Sequence, residues 1–307
     1  MPGFLDELEK AELHLHLEGS VDFEALCELA PDLNPSEIQQ ACSFHDFPGV
    51  IEAYKFVNQR LRSPEDYALI TRRILGRLHE QRVRYVEINL SVGVMLWKNQ
   101  DVAPLFEAVA HSASESPVHT MWIFDAVRQL GADHAMRVAE LAAERVRDGV
   151  VGFGIGGDEA RETAHSFAPV FDFAQRRGLH LVPHAGETTT AQSVWDALRL
   201  GAERIGHGIR AADDPVLLRH LRDHDIPLEI CLTSNVRTGA VAKLEDHPIR
   251  RIYDAGVPIT LNSDDPGLFQ TTLTREYEIA AEQFGFSEAE LRGIAQNGFR
   301  YAFEAAR

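Results

Sequence analysis

Residues 11–20, AELHLHLEGS, decide between two α/β architectures. The alternation of His14 and His16 with Leu13, Leu15 and Leu17 reads as a buried strand. On a strand, successive side chains point to opposite faces, so the two imidazoles share one face and the leucines the other. A nucleotide-binding open sheet normally places a glycine-rich turn after its first strand, whereas this strand runs into Leu17-Glu18-Gly19. The later VGFGIGGDE, residues 151–159, has glycines at a spacing that is not the dinucleotide fingerprint.

Working outward, short apolar runs recur at 12–17, 83–91, 118–125, 149–157, 180–186, 204–209, 227–232 and 258–263. Amphipathic stretches separate them, such as 190–201, TAQSVWDALRLG, where Val194 and Leu198 mark an apolar face and Gly201 an end. Strands separated by helices imply parallel pairing with right-handed crossovers. About eight such units predict a closed (β/α)₈ TIM barrel, with the open doubly wound sheet as the alternative. The 307 residues contain no linker-like or low-complexity stretch, so one domain over 1–307 is expected.

Residues 19–82 hold more than one crossover helix needs. A helical insertion after the first strand is predicted there, with one helix start at Ser63-Pro64-Glu65. On a barrel it would lie over the catalytic face as a lid, with Phe44 and Phe47 either gating the site or packing the lid down.

The 30 Lys and Arg against 47 Asp and Glu give a formal charge of −17, which repels a phosphate backbone and anionic lipid. Nucleic acid and membrane are therefore not expected partners. Cys27, Cys42 and Cys231 show no CxxC spacing and read as reduced packing residues. The amino-terminal stretch lacks a signal-peptide pattern, and no run reaches the roughly 18 apolar residues that span a bilayer. The expectation is a cytoplasmic protein; nothing in the sequence addresses its oligomeric state.

The polar residues at the strand ends carry the chemistry. Two imidazoles on one face of strand one point to a metal, since neutral rings buried side by side need a shared acceptor. Strand five ends in VPHAGE (His184, Glu187), strand six in RIGHG (His207), strand seven in CLTSN (Ser234, Asn235) and strand eight in LNSDDPG (Asp264, Asp265). His14, His16, His184 and Asp264 make an N₃O ligand set for one zinc ion, and iron or manganese would suit the same atoms. Such an ion supplies hydroxide near neutral pH. In this reading His207 takes the proton of the attacking water and Glu187 protonates the substrate atom that becomes electron-rich. Asp265 holds the water or a ring nitrogen. The pair Asp158-Glu159 reads as a helix start, and Gly157 as a point of close approach for a substrate. The remaining histidines, among them His180 and His247, read as surface or packing residues.

The motifs ELHLHLEG, HAGET, RIGHG and LNSDDPG, in this order, resemble the adenosine deaminase family of the amidohydrolase barrels. The resemblance implies that His14, His16, His184 and Asp264 hold zinc and that Glu187 protonates purine N1. It implies that His207 orients and deprotonates the hydroxide and that Asp265 meets water and purine N7. By the same resemblance the Gly157 amide meets purine N3 and Glu18 contacts the sugar. The reaction would be hydroxide attack at C6 of a 6-aminopurine nucleoside with loss of ammonia.

Two departures bear on the substrate. Adenosine deaminases usually carry Asp where this chain has Glu18, and adenine deaminases of the family tend to carry Asp where it has Gly206. Residues 87–101, EINLSVGVMLWKNQD, are similar to the pattern of bacterial aminodeoxyfutalosine deaminases of the menaquinone pathway. This resemblance implies 6-amino-6-deoxyfutalosine, with Arg60, Arg62, Lys98 or Arg210 available to a benzoate-bearing 5' extension. Adenosine is the alternative substrate, and a catalytically silent metal-binding barrel the alternative outside enzymes.

Overall fold

The computed structural model describes residues 2–44, 47–161 and 164–303. Its strands are β1 (Lys10–His16), β2 (Val83–Leu90), β3 (His119–Val127), β4 (Val150–Gly156), β5 (His180–Ala185), β6 (Ile205–His207), β7 (Leu228–Ile230) and β8 (Ile259–Leu261). They pair in parallel in sequence order. The ring closes where the His16 amide donates to the Asp264 carbonyl at 2.9 Å and the Asp264 amide to the His14 carbonyl at 3.0 Å. With helices between the strands, this is the expected (β/α)₈ barrel, and every observed strand falls on one of the anticipated apolar runs. Among the described residues no helix is long and apolar enough to cross a membrane.

The alternation expected of β1 does not run through the whole strand. Its pairing with β2 is irregular between Glu12 and Leu15. As a result Leu13 joins Ala11, Tyr85, Ile123 and Val182 in a small cluster sealed by Phe303, whereas Leu15 packs into the large core. One extra residue on a strand re-aims the side chains beyond it, and here those side chains are His14 and His16.

Residues 18–80 form a 3₁₀ turn (Glu18–Ser20) and the helices Phe23–Leu29, Pro35–Ala41, Phe47–Asn58 and Pro64–Glu80. The last starts where expected. Ser63 and Asp66 make a reciprocal capping box with Pro64 in the first turn, so the orphan amides of the helix start are satisfied locally. Phe44 is buried edge-on against Phe269 at 5.9 Å, with the Arg237 guanidinium over its ring at 4.6 Å, which is a packing role. The Phe47 side chain lies outside the described residues.

A candidate metal centre and active site

Four ligand atoms from β1, β5 and the end of β8 converge at the carboxyl ends of the strands. His16 Nε2 lies 3.2 Å from His184 Nε2, and Asp264 Oδ1 lies 3.4 Å from both His14 Nε2 and His16 Nε2. All four residues are buried. Tetrahedral zinc with bonds of ~2.0–2.1 Å spaces its ligand atoms roughly 3.3 Å apart, so this set fits such an ion. His14 Nε2 is buried with no hydrogen-bond partner, as a ligand atom aimed at a cation would be.

Outer contacts orient these ligands. His14 Nδ1 donates to Glu229 Oε2 at 2.7 Å, which leaves the Nε2 lone pair for a metal. Ser234 Oγ donates to Asp264 Oδ2 at 2.5 Å. Asp264 and His207 both adopt left-handed backbone conformations, with φ of 62° and 60°. Non-glycine residues hold that region at a cost of about 1–3 kcal/mol, sustained only where surrounding contacts over-determine it.

Glu187 and His207 face one another across this cluster, with His207 Nε2 3.7 Å from Glu187 Oε2 and 3.9 Å from Asp264 Oδ2. Burial, reinforced by the negative charges of Asp264 and Glu159, pushes the Glu187 carboxyl up to about 8. A carboxyl that keeps its proton at neutral pH is a proton donor. Asp265 is likewise driven well above the usual carboxylate range, by burial and then by Asp264. Its Oδ1 is buried without a partner.

Glu159 corrects an expectation. No helix starts at Asp158-Glu159; the chain turns there, and the next described element is the 3₁₀ turn Ala164–Phe167. Instead the Glu159 carboxylate accepts the amides of Gly186, Glu187 and Thr188 at 2.7, 3.0 and 2.8 Å. Burial works to raise its pKa, but these bonds and that from Ser193 outweigh burial and hold it below the usual value. Its ionised side chain thus fixes the loop that carries Glu187.

Around the cluster, Glu18 is fully buried. It accepts the Ser91 amide at 3.2 Å and the Tyr54 hydroxyl at 3.3 Å, tying the insertion to the end of β2. Burial raises its carboxyl to about 7. Gly157 has φ of 94°, a backbone conformation that favours glycine, with the Gln129 side chain close beside it. At Gly19 the constraint is space, because its Cβ would fall 1.5 Å from Asp265 Oδ1. The candidate cations all spend donors on main-chain carbonyls: Lys98 on Asn58 and Leu61, Arg60 on Phe56, Arg62 on Leu29, and Arg210 on Ala240.

Several participants had gone unassigned. Glu229 sits inside the apolar run PLEICL, and a carboxylate within a buried parallel strand always needs a partner; that was its only signal in the sequence. Arg204, which pairs with Glu229 and Glu87 beneath the site, is equally buried. His247, expected only to pack or lie at the surface, is buried and bonded through Asn235 to His207.

The chain is 41% identical to the aminodeoxyfutalosine deaminase of Streptomyces coelicolor, over 98% of this chain and 81% of that protein. It is 35% identical to the adenine deaminase of Rhizobium leguminosarum bv. trifolii, over 96% and 95% of the two. The crystal structure of adenine deaminase from Arthrobacter aurescens superposes with a TM-score of 0.90 at 29% identity, covering 97% of this chain and 94% of that one. The sequence profile described as adenosine deaminase matches residues 9–307, from just before the first strand to the last residue, and the chain therefore belongs to the adenosine deaminase family.

Proposed function

We propose that this chain hydrolytically deaminates a 6-aminopurine nucleoside with an enlarged 5' substituent, 6-amino-6-deoxyfutalosine being the best fit. One observation carries the reaction class: the buried Glu187 carboxyl, which burial pushes up, lies 3.7 Å from His207 beside a His₃Asp cluster that suits zinc. His14, His16, His184 and Asp264 would hold the ion, and iron or manganese would find the same donors. When bound, the ion lowers the pKa of a water from 15.7 to near 7, making hydroxide available at neutral pH.

The chain's own residues do the rest. Glu187 delivers its proton to the ring nitrogen next to C6 as the C6–oxygen bond forms. His207 Nε2 contacts the attacking water, and Asp265 holds that water or N7 of the ring. The Gly157 amide meets N3, and Glu18 meets the sugar. The oxygen added at C6 gives up its proton to the amine, which leaves as ammonia while C6 becomes a carbonyl. The helical insertion at about 19–82 would cover this site as a lid, with Tyr54 joining it to Glu18.

The substrate assignment is supported by the 41% identity to an aminodeoxyfutalosine deaminase and by glutamate, not aspartate, at position 18. Identity of 35% to an adenine deaminase favours the free base as a second reading. Against it stands Gly206, where a Cβ would approach His14 Cε1 to 2.8 Å. The test is kcat/KM of zinc-loaded protein on 6-amino-6-deoxyfutalosine, adenosine and adenine, followed by the ultraviolet change as amine becomes carbonyl. A preference for the first is expected. A preference for adenosine would assign the chain to purine salvage, and activity on none would overturn the deaminase reading.

A further inference from the structure

We propose that Asn235 and His247 are positioning residues that hold His207 as its Nε2–H tautomer, so that the ring donates a hydrogen bond to the attacking hydroxide, whose other proton has already been released to solvent, instead of serving as the base. The second half of this statement rests on the deaminase reading; the tautomer does not.

The argument starts from a main-chain amide, whose polarity is invariable. The Ile249 N–H donates to His247 Nδ1 at 3.1 Å. That nitrogen is therefore an acceptor, and the neutral ring must carry its proton on Nε2. Burial depresses the His247 pKa to about 3, which agrees with a neutral ring. His247 Nε2–H lies 3.1 Å from Asn235 Oδ1 and donates to it. Turning the amide over would set an NH₂ against an N–H in a buried place, so the orientation of Asn235 is dictated by its neighbour.

The other end of the amide then has only one role. Asn235 Nδ2 donates to His207 Nδ1 at 3.1 Å. With Nδ1 accepting, neutral His207 keeps its proton on Nε2, the nitrogen that faces the site. Carboxyl oxygens of Glu187 (Oε2) and Asp264 (Oδ2) lie 3.7 and 3.9 Å from Nε2. To serve as a base at Nε2 the ring would need a proton on Nδ1, directly against the Asn235 N–H. The relay Ile249–His247–Asn235–His207 thus opposes the expectation that His207 takes the water proton. All three bonds lie between buried groups, where an unmatched donor finds no water to replace its partner.

The experiment is a long-range ¹H–¹⁵N correlation spectrum of the zinc-loaded full chain labelled at histidine nitrogens, with His207 assigned by comparison with His207→Ala. From about pH 6 to about pH 8, the range in which an ordinary histidine titrates, the His207 ring should show a bare Nδ1 and a protonated Nε2. A proton on Nδ1, or a doubly protonated ring, would overturn the proposal.

Variants test the relay with a readout that simple packing would not move. Asn235→Asp replaces the donor by an acceptor, so the proton should shift to Nδ1 and kcat fall about 10²-fold with KM changed little. His247→Gln keeps a donor toward Asn235 Oδ1 and should retain the tautomer and most of kcat, whereas His247→Ala should lose both. Full activity in Asn235→Asp with the proton on Nδ1 would overturn the donor role. A spectrum with Nε2–H in a protein that deaminates none of the three purines would refute the deaminase reading while upholding the relay. Should Asn235→Asp fail to fold, the wild-type spectrum decides alone.

Discussion

Glu229 joins His14 to Arg204: one carboxylate oxygen accepts from His14 Nδ1 at 2.7 Å and the other from Arg204 Nε at 2.7 Å. The candidate metal ligand is thereby linked to a buried ion cluster on the barrel floor. Arg204 also pairs with Glu87 and donates to the Tyr301 carbonyl at 2.6 Å, while Glu87 accepts the Phe303 amide at 2.6 Å. His14 is oriented by fully buried groups of the barrel interior.

Glu229→Gln should therefore weaken zinc binding about 10–100-fold, the usual loss when a ligand's outer partner is disturbed. Competition against a chromogenic chelator measures it. Glu229→Ala should also destabilise the fold by roughly 3–5 kcal/mol, because it strips a buried guanidinium of one of its two carboxylates. Thermal denaturation of the metal-free protein checks this, and an unchanged Tm would refute it.

Glu187→Gln should keep the metal and lose about 10²–10⁴ in kcat, the range for one general acid. The pH dependence has a definite sign. As the proposed acid, Glu187 would work in its protonated form, and its carboxyl is raised to about 8. Activity should thus be lost as pH rises through that value, and the variant's profile should lack this alkaline limb. Comparing kcat/KM profiles of the two proteins, with metal content assayed alongside, tests both statements.

Glu18→Asp withdraws a carboxylate by one methylene from a fully buried position. If that carboxylate reads the sugar, the ratio of kcat/KM for adenosine to that for 6-amino-6-deoxyfutalosine should rise about 10–200-fold. Parallel losses on both substrates would assign Glu18 to structure instead. Tyr54→Phe, which removes the 3.3 Å bond to Glu18, should act in the same direction by a smaller factor.

Gly19→Ala introduces a methyl group where Asp265 Oδ1 already sits. The carboxyl must move by an ångström or more, and displacement of that size costs about 10² in rate. Turnover should fall by this factor with circular dichroism unchanged. Undiminished activity would show that Asp265 has no fixed place in the reaction.

Much of this was legible in the chain itself. Strands buried on both faces must be apolar along their length, so the eight runs mark the barrel, and polar residues ending such runs mark its catalytic face. His14, His16, His184, His207, Asp264 and Asp265 belong to those strand ends. Their convergence needs only the ring closure that eight β/α units imply.

What the sequence determined by itself is the order of strands and the residue types presented at one end of them. The closed ring decided which buried polar groups became partners. Glu229 meets His14 across 215 residues because β7 and β1 converge on one interior, and Glu159 braces the Glu187 loop because β4 and β5 are neighbours. The irregular pairing of β1 that turns Leu13 inward, and the amide orientation of Asn235 imposed through His247, follow the same logic. A buried donor or acceptor must be matched by whatever the fold brings beside it, and no local pattern states what that will be.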